Sequence, residues 1–316
     1  MRLTKSPLRL LWLAVVAGLA AVAFTIPPAA SASGGPHQCE GGGKGTIPNY
    51  KIGLQLFAVR ADLSDQEEML ATFAELGEIG YRAVEHFGSM RGWTAREYHG
   101  VVKAAGLRIV GNHGSLNPDS FPDSLQDARD RRQEMIGSGG FGSPGFDTLE
   151  ETLETAANLN MLGQQAAARN MKVFGHNHDE EFSTRHAYDI DGDGDTEMVP
   201  AIEIMIANTN PDWVAFEIDI HWARVGLGTD AAGFEELIAF LEKYSERIPL
   251  LHVKDTGADG DMSDLGPANG GTTDWPRVFR AAKHVDYYHW ELDRGFTVSP
   301  MDSARRAFEY LDCLEF

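Results

Sequence analysis

The sequence predicts an α/β fold in which residues 50–316 form a single (β/α)8 TIM barrel. Short apolar runs rich in β-forming residues alternate with segments of helical periodicity, and this alternation is typical of a parallel sheet. Eight strand–helix pairs fit into a length close to the roughly 250 residues of such a barrel. A doubly wound open sheet is the competing architecture, but no Gly-rich phosphate loop follows any of the predicted strands.

Eight strands and eight helices are predicted in alternation along the chain. The strands are Ile52–Ala58, Ala83–Phe87, Leu107–Asn112, Met135–Gly139, Lys172–His176, Trp213–Asp219, Leu250–Lys254 and Tyr287–Leu292. The helices are Gln66–Glu78, Ala95–Ala105, Asp123–Arg132, Leu149–Arg169, Val199–Ala207, Gly233–Lys243, Trp275–Lys283 and Ser303–Leu314. The fourth strand has the weakest pattern because glycines interrupt it, whereas Thr94, three residues before Glu97, indicates a capped helix start.

The first segment has the features of a secretory signal peptide. A basic start is followed by the apolar run Leu10–Phe24 and then by Ala30-Ser31-Ala32, which has small residues where a signal peptidase cuts. An uncleaved membrane anchor is the alternative, but the run falls short of the ~20 residues that span a bilayer. We therefore expect residues 1–32 to be a signal peptide, residues 33–49 a flexible Gly-rich lead-in, and the mature protein to be secreted.

The overall charge limits the partners of this chain. It has 316 residues, a formal net charge of −20 and a hydrophobic fraction of 43%, as expected for a globular protein with a core. An acidic surface disfavours nucleic acid and anionic membranes, because both require a surplus of Lys and Arg. A small-molecule partner is expected, while the sequence does not define the oligomeric state.

Polar residues cluster at the carboxyl ends of the predicted strands, where barrel enzymes carry their active sites. A lone His there is often a hydrogen-bonded structural residue, and a lone Asp is often a helix cap. Glu181, Asp219, His252 and Glu291 are different as a set, because three carboxylates beside one imidazole repel one another unless a cation is present. This oxygen-rich set suits Mn²⁺, Mg²⁺ or Co²⁺, and Zn²⁺ is also compatible.

Several motifs together resemble the xylose-isomerase-like barrel superfamily, in particular its sugar phosphate isomerase/epimerase branch. They are Ile52–Phe57, Tyr81–Glu85, Asn160 with Gly163, His176–His178, Phe216–Asp219 with Trp222, and His252–Asp255. The resemblance implies one divalent metal, Mn²⁺ first, at Glu181, Asp219, His252 and Glu291, with the two glutamates as catalytic acid and base. Two departures concern the substrate: many epimerases of this branch have His where Trp222 stands, and Gly266–Gly270 replaces a Gly-Glu-Gly motif.

The expected reaction is proton abstraction next to a carbonyl through an enediolate, which isomerises or epimerises a sugar. The residues expected to contact the substrate are His113, His176, His178, His221, Trp222 and Lys254. Lys254 would neutralise the developing oxyanion, although a structural salt bridge with Asp255 is an equal alternative. Trp222 would offer an apolar surface to a sugar face or simply pack in the barrel.

Three other functions remain open for this pattern of residues. A metal-dependent lyase or dehydratase acting on a keto-sugar or keto-glycoside would use the same site if the substrate carries a leaving group. A DNA-repair endonuclease of this architecture needs more ligands for its trinuclear zinc site, and its DNA would be repelled by the acidic chain. A non-catalytic sugar-binding barrel would bind without a metal.

An acidic loop suggests a second metal. Asp189, Asp191, Asp193 and Asp195 alternate with other residues as in the first half of a calcium loop. The twelfth position is Pro200 rather than a bidentate Glu, so a solvated hairpin is the alternative, since Asp-Gly pairs are strong turn signals.

The two cysteines, Cys39 and Cys313, are predicted to form a disulfide. Cys39 precedes the first strand and Cys313 ends the last helix, and these neighbour each other in a closed barrel. An oxidising compartment favours their pairing over two free thiols, which are the alternative.

Overall fold

The structure, a computed structural model, describes Cys39 and residues 45–316 of the chain. The predicted signal peptide, residues 1–32, and most of the predicted lead-in, residues 33–49, lie outside the described residues. In the described part, eight parallel strands close into one barrel with helices between them along the chain. The predicted barrel is therefore confirmed.

The barrel strands follow one another around the barrel in chain order. They are β1 (Ile52–Gln55), β2 (Ala83–Phe87), β3 (Arg108–His113), β4 (Met135–Ser138), β5 (Lys172–His176), β6 (Val214–Asp219), β7 (Leu250–Val253) and β8 (Tyr287–Trp290). Strand β4 contains a glycine because the ring of Phe174 lies against it: a Cβ on Gly137 would lie 2.5 Å from that ring.

All eight predicted helices are present, with small shifts at their ends, and the structure adds two short helices, α5 and α7. The helices are α1 (Gln66–Ile79), α2 (Ala95–Ala104), α3 (Phe121–Asp130), α4 (Leu149–Ala167), α5 (Glu180–Ser183), α6 (Ala201–Ala207), α7 (Ile220–Leu227), α8 (Ala231–Tyr244), α9 (Trp275–Ala281) and α10 (Pro300–Cys313). Thr94 and Thr148 form capping boxes at the starts of α2 and α4. No helix in the described ranges is long and apolar enough to cross a membrane.

Two local predictions were wrong, and the short helices α5 and α7 were not predicted. Strand β1 ends at Gln55, whose side chain accepts a hydrogen bond from the amide of Phe57, and a 3-10 helix follows instead of a longer strand. Val199 lies in a short strand, so α6 starts after it. Helix α7 was not predicted because Asp219 both ends β6 and caps α7, accepting a 2.9 Å hydrogen bond from the amide of Trp222.

The interior of the barrel is lined by apolar side chains at the amino-terminal end of the strands and by ionisable side chains towards their carboxyl ends. The apolar layer is formed by Ala83, Val110, Met135, Phe174, Ala215, Leu250 and Tyr287. Side chains alternate between the two faces of a strand, so every second residue beyond this layer also points inward. A larger apolar cluster includes residues of both the strands and the helices.

Two small antiparallel pairs extend from the barrel loops. Arg185–Tyr188 pairs with Glu197–Pro200, and the acidic loop at 189–196 forms the tip of this hairpin. Asp255–Thr256 pairs with Met262–Ser263 in the loop after β7. Both lie in loops that follow strand carboxyl ends, the side on which active sites are built.

Cys39 and Cys313 form a disulfide with Cα atoms 5.3 Å apart, the pairing expected from the sequence. The amide of Gly45 donates to the carbonyl of Asp312 at 2.7 Å, which extends the attachment. Because each barrel helix runs back towards the strand amino termini, the end of α10 places this attachment on the face opposite the active-site end.

Candidate active site

Strands β6, β7 and β8, together with the residue that directly follows β7 and β8, each present two ionisable side chains to the barrel interior. The pairs are Glu217 and Asp219, His252 and Lys254, and His289 and Glu291, and all six are buried. Asp219 lies beside His252 in the sheet register, and His252 lies beside His289. The two members of each pair are two residues apart, and both point inward because side chains alternate between the faces of a strand. We call Asp219, Lys254 and Glu291 the upper layer, and Glu217, His289 and the other residues around Glu217 the lower layer. His252 contacts both layers and is counted with the upper one.

The upper layer brings together three of the four residues expected to bind a metal. Asp219, His252 and Glu291 offer ligand atoms within 4.8 Å of one another. His252 Nδ1 lies 2.8 Å from Glu291 Oε2 and 3.9 Å from Asp219 Oδ2. His176 Nε2 is also 3.9 Å from Asp219 Oδ2. Two carboxylate oxygens and an imidazole nitrogen are donors that divalent metals use, so the residues present fit such an ion. It would share the two carboxylate oxygens with Lys254 Nζ, which lies 2.8 Å from each.

Glu181 lies apart from that group: among the described residues it joins no set of three ligand groups within 4.8 Å. Its Oε2 accepts a 2.8 Å hydrogen bond from the amide of His178. Burial raises the pKa of Glu181 to about 7, while the hydrogen bonds from its own amide and that of His178 work in the opposite direction. Its carboxyl group is therefore able to give or take a proton near neutral pH.

Lys254 is bound by carboxylates of the site rather than by Asp255. Its Nζ lies 2.8 Å from Asp219 Oδ2, 2.8 Å from Glu291 Oε2 and 2.9 Å from Asp293 Oδ1. Burial alone would lower the pKa of Lys254, but these three carboxylates raise it above its ordinary value. Lys254 is therefore a fixed positive charge at the centre of the upper layer.

The lower layer centres on Glu217, which the sequence analysis did not assign to the site. Its Oε2 lies 2.9 Å from His113 Nε2, 3.1 Å from His252 Nε2 and 3.2 Å from His176 Nδ1, and its Oε1 lies 3.4 Å from His289 Nδ1. Burial alone would raise the pKa of Glu217, but His252 and the hydrogen bonds from the imidazoles hold it well below its usual range. This carboxylate orients the imidazoles from below.

Glu85 is a second acid in the lower layer that was not assigned a role. Its Oε2 lies 2.9 Å from His252 Nε2 and accepts a 2.6 Å hydrogen bond from Gln55 Nε2. His252 therefore has carboxylates at both ring nitrogens, and although burial alone would lower its pKa, Glu217 and Glu291 raise it well above the ordinary value. The alternation Glu217/Asp219 and His289/Glu291 was the sequence signal that could have revealed this layer.

The expected substrate-contacting residues occupy different depths. His113 and His176 belong to the lower layer, and buried His221 lies 2.9 Å from Thr256 Oγ1 through its Nδ1. Burial and the Lys254 charge lower the pKa of His221 to about 4. His178 is exposed, and its ring centroid is 5.5 Å from that of half-buried Trp222, whose indole N–H has no hydrogen-bond partner among the described residues.

The fold is that of the xylose-isomerase-like barrels, as several similar solved structures show. One is a sugar phosphate isomerase/epimerase from Parabacteroides distasonis, with 20% identity, a TM-score of 0.65, and coverage of 85% of this chain and 95% of that chain. The resemblance expected from the motifs is thus confirmed for the fold.

Other similar structures carry different functions. The probable 3-DHS dehydratase from Bacillus anthracis is 15% identical, with a TM-score of 0.56 and coverage of 83% of this chain and 98% of that chain. A family 2 AP endonuclease from Brucella melitensis is 14% identical, with a TM-score of 0.54 and coverage of 80% and 96%. No protein-family model and no curated protein matches the chain. At these sequence identities the similarity shows the fold only, so the reaction has to be inferred from the residues of the candidate site.

Proposed function

We propose that the protein is a divalent-metal-dependent sugar isomerase or epimerase that moves a proton on a carbon next to a carbonyl group. The observation that carries this proposal is the convergence of Asp219, His252 and Glu291 at the carboxyl end of the barrel. The Parabacteroides distasonis structure, a sugar phosphate isomerase/epimerase of the same fold, supports the class. The net charge of −20 argues against the endonuclease alternative, because DNA would be repelled.

Asp219, His252 and Glu291 would hold one metal ion. The fourth ligand is either Glu181, as the sequence suggests, or His176, whose Nε2 lies 3.9 Å from Asp219 Oδ2. Mn²⁺ is our first choice, because carboxylate oxygens dominate the set, and Mg²⁺, Co²⁺ and Zn²⁺ are alternatives. When bound, such an ion polarises a carbonyl and makes the neighbouring C–H more acidic.

Glu181 and Glu291 are proposed as the acid–base pair because their environments differ. Burial places the pKa of Glu181 at about 7, so this group is partly protonated at neutral pH. Glu291 is held ionised: burial alone would raise its pKa, but Lys254 and His252 lower it well below its usual range. Two carboxyl groups with separated pKa values can act as donor and acceptor in one turnover.

Exposed His178 and half-buried Trp222 are proposed to contact the sugar, one by hydrogen bonding and the other with its ring face. A lyase or dehydratase is the second candidate function, supported by the shared fold of the probable 3-DHS dehydratase from Bacillus anthracis. Both reactions begin with the same proton abstraction, and proton NMR of the product mixture distinguishes them. An unsaturated product would identify the lyase.

We also propose that the protein acts outside the cytoplasm after removal of residues 1–32. The Cys39–Cys313 disulfide supports this location, because disulfides persist in oxidising compartments.

The catalytic assignment predicts that Glu181→Gln and Glu291→Gln each abolish exchange of substrate hydrogen with solvent. Each substitution keeps the shape of the side chain but removes the group that transfers the proton. The measurement is metal-dependent deuterium incorporation in D₂O, followed by NMR across keto- and aldo-sugars, free and glycosidically linked.

Glu180→Gln is the matched control, because Glu180 is the exposed neighbour of Glu181. It should retain exchange, and Glu180→Gln and Glu181→Gln should keep the melting temperature of the unsubstituted protein within a few degrees. Glu291→Gln removes a buried charge that is paired with Lys254 and His252 and should lower the melting temperature, so its exchange is measured where circular dichroism shows it folded. Full exchange in either catalytic variant, or in metal-stripped protein, would refute the assignment.

A further inference from the structure

The loops after β7 and β8 contain the usual place for a phosphate group in barrel enzymes. We call residues 254–274 loop 7 and residues 291–299 loop 8. Phosphate is bound there by free backbone N–H groups of the loops and by the amino terminus of a short helix. Whether those N–H groups are free in this chain therefore bears on whether the substrate is phosphorylated.

In loop 7 the N–H groups already bind a carboxylate of the chain. Asp255 is buried, and its Oδ2 accepts hydrogen bonds from the amide of Gly266 at 3.0 Å and from Trp275 Nε1 at 2.9 Å. Its Oδ1 accepts from the amides of Thr256 at 2.8 Å and Thr273 at 3.1 Å. Asp255 thus takes up, from inside the loop, the donors that an anion would need.

Loop 8 is organised in the same way around a second buried carboxylate. Asp264 Oδ2 accepts hydrogen bonds from the amide of Thr297, at 3.0 Å, and from the hydroxyl of the same residue. Asp264 Oδ1 accepts a 2.5 Å hydrogen bond from Ser303 Oγ. Asp264 belongs to loop 7, so its carboxylate joins the two loops and brings a negative charge to their contact.

The helices that follow these loops also have occupied amino termini. Asp274 caps α9 by accepting from the amide of Arg277 at 3.2 Å, and Ser299 caps α10 by accepting from the amide of Asp302 at 3.1 Å. Each helix has a proline in its first turn, which supplies no N–H donor.

Two cations near this end of the barrel, Lys254 and Arg294, are paired with carboxylates, whereas exposed Arg60 and buried Arg224 donate, within the described part of the chain, only to carbonyl and hydroxyl groups. Lys254 is bound by Asp219, Glu291 and Asp293 in the upper layer. Arg294 of loop 8 forms a 2.8 Å ion pair with Asp261 of loop 7. Neither Arg60 nor Arg224 lines the cavity between loops 7 and 8. A phosphate dianion entering that cavity would therefore meet carboxylates, with Arg294 already engaged by Asp261.

From this arrangement we propose that the substrate carries no phosphate, and that loops 7 and 8 receive an uncharged, hydroxyl-bearing part of it. A cavity of about 350 Å³ lies between the loops, lined by Asp259, Ser263, Asp264, Asn269 and Thr297 among others. Because Asp264 is already hydrogen-bonded, exposed Asp259 and the amide and hydroxyl groups of the lining would bind the hydroxyls of a neutral sugar. Both acids repel a phosphate. The inference rests on the proposed function and names the substrate class of the same site.

The test compares neutral sugars with their phosphate esters, for example fructose with fructose 6-phosphate, in the deuterium-exchange assay. We expect exchange with a neutral sugar and a kcat/KM about a hundredfold lower for its ester, because like charges would face each other. A parallel calorimetric titration adds inorganic phosphate to chelator-treated protein, so that no metal can bind the phosphate. No heat of binding is expected at millimolar phosphate.

Three variants assign the effect to the loops. Asp264→Asn and Asp259→Asn keep the shape of an acceptor side chain but remove a charge from the cavity, and both should raise the affinity for inorganic phosphate several-fold. Asp212→Asn is the matched control, because it removes an exposed carboxylate just before β6, on the opposite face. Asp259 is exposed, so its variant remains informative if Asp264→Asn fails to fold.

The outcomes separate this inference from the proposed function. Exchange of a phosphate ester as fast as its neutral partner overturns the inference and leaves the proposed function standing. Exchange with no sugar at all overturns the proposed function, and the titration then decides the inference: binding of phosphate by the unsubstituted protein contradicts it. Equal changes in the Asp259 and Asp212 variants would contradict the role of the loops.

Discussion

Glu217 shows how a carboxylate can be completely buried in the barrel. Four imidazoles surround it, on β3, β5, β7 and β8, and the hydrogen bonds from them offset the loss of water around the charge. One of them, His252, also contacts Glu291 through its other ring nitrogen. Glu217 therefore positions the upper layer from below, although it has no direct part in the proposed proton transfer.

His86 predicts a specific loss of stability in acid. It is buried, its Nδ1 lies 3.0 Å from the hydroxyl of Tyr98, and burial together with Arg131 lowers its pKa from 6.5 to about 3. Between these values the unfolded chain binds a proton that the folded chain does not. The free energy of unfolding therefore falls as the pH decreases, by up to about 1.4 kcal/mol per pH unit.

The measurement is urea unfolding of the unsubstituted protein and of His86→Leu at pH 8 and pH 5. The substitution has a cost of its own at pH 8, where His86 is neutral in both states. From there to pH 5, the stability of the unsubstituted protein relative to the variant should decrease by about 2 kcal/mol. A difference that stays constant would contradict a neutral, buried His86.

At the scale of elements, the hairpin with the acidic loop is already held by its own hydrogen bonds. Asp189 accepts from the amides of Gly192 at 2.7 Å and Gly194 at 3.1 Å. Asp189, Asp191 and Asp193 offer ligand atoms within 4.8 Å of one another, but Asp195, the fourth expected ligand, is not in that group. The structure thus contains the hairpin that was the alternative to a calcium-binding loop.

We expect Ca²⁺ to leave the stability of the protein unchanged. The loop lacks a bidentate glutamate at its twelfth position, where Pro200 stands, and its carboxylates already accept backbone hydrogen bonds. The measurement is the melting temperature of chelator-treated protein during titration with Ca²⁺. A rise that disappears in Asp191→Asn would instead establish a stabilising calcium site.

The sequence was sufficient for the order of elements but not for every boundary. Hydrophobic periodicity located each barrel strand, since a buried strand is an apolar run between polar loops. It did not reveal α7, because Asp219 was interpreted only as a ligand while it also caps that helix. One side chain can satisfy two roles, and a pattern of residue types does not show both.

Across the whole molecule, the candidate site was predictable at strand ends and not inside strands. Asp219, His252 and Glu291 were found because polar residues at the end of a barrel strand are rare without a function. Glu85, Glu217 and His289 lie one layer deeper, where the register between neighbouring strands decides which charges meet. That register is set by the packing of the closed barrel, so it cannot be predicted from the sequence of a single segment.

The disulfide gives a prediction for the protein as a whole. Denatured but unreduced protein should show no reactive thiols, and reduction should release two, because Cys39 and Cys313 are paired. Loop-entropy reasoning assigns ~5 kcal/mol to a bridge of this length, and the gain is smaller where the attached end can fray. The measurement is thiol titration with and without reductant; two reactive thiols before reduction would contradict the pairing.

The same disulfide determines what proteolytic cleavage of the chain would produce. Because Cys39 and Cys313 are 274 residues apart, nearly the whole described chain lies within one covalent ring. A protease that cuts one exposed loop, such as the tip at 189–196, opens the ring without releasing a fragment. The nicked molecule is still one covalent unit, in effect a barrel whose ends have moved to the hairpin.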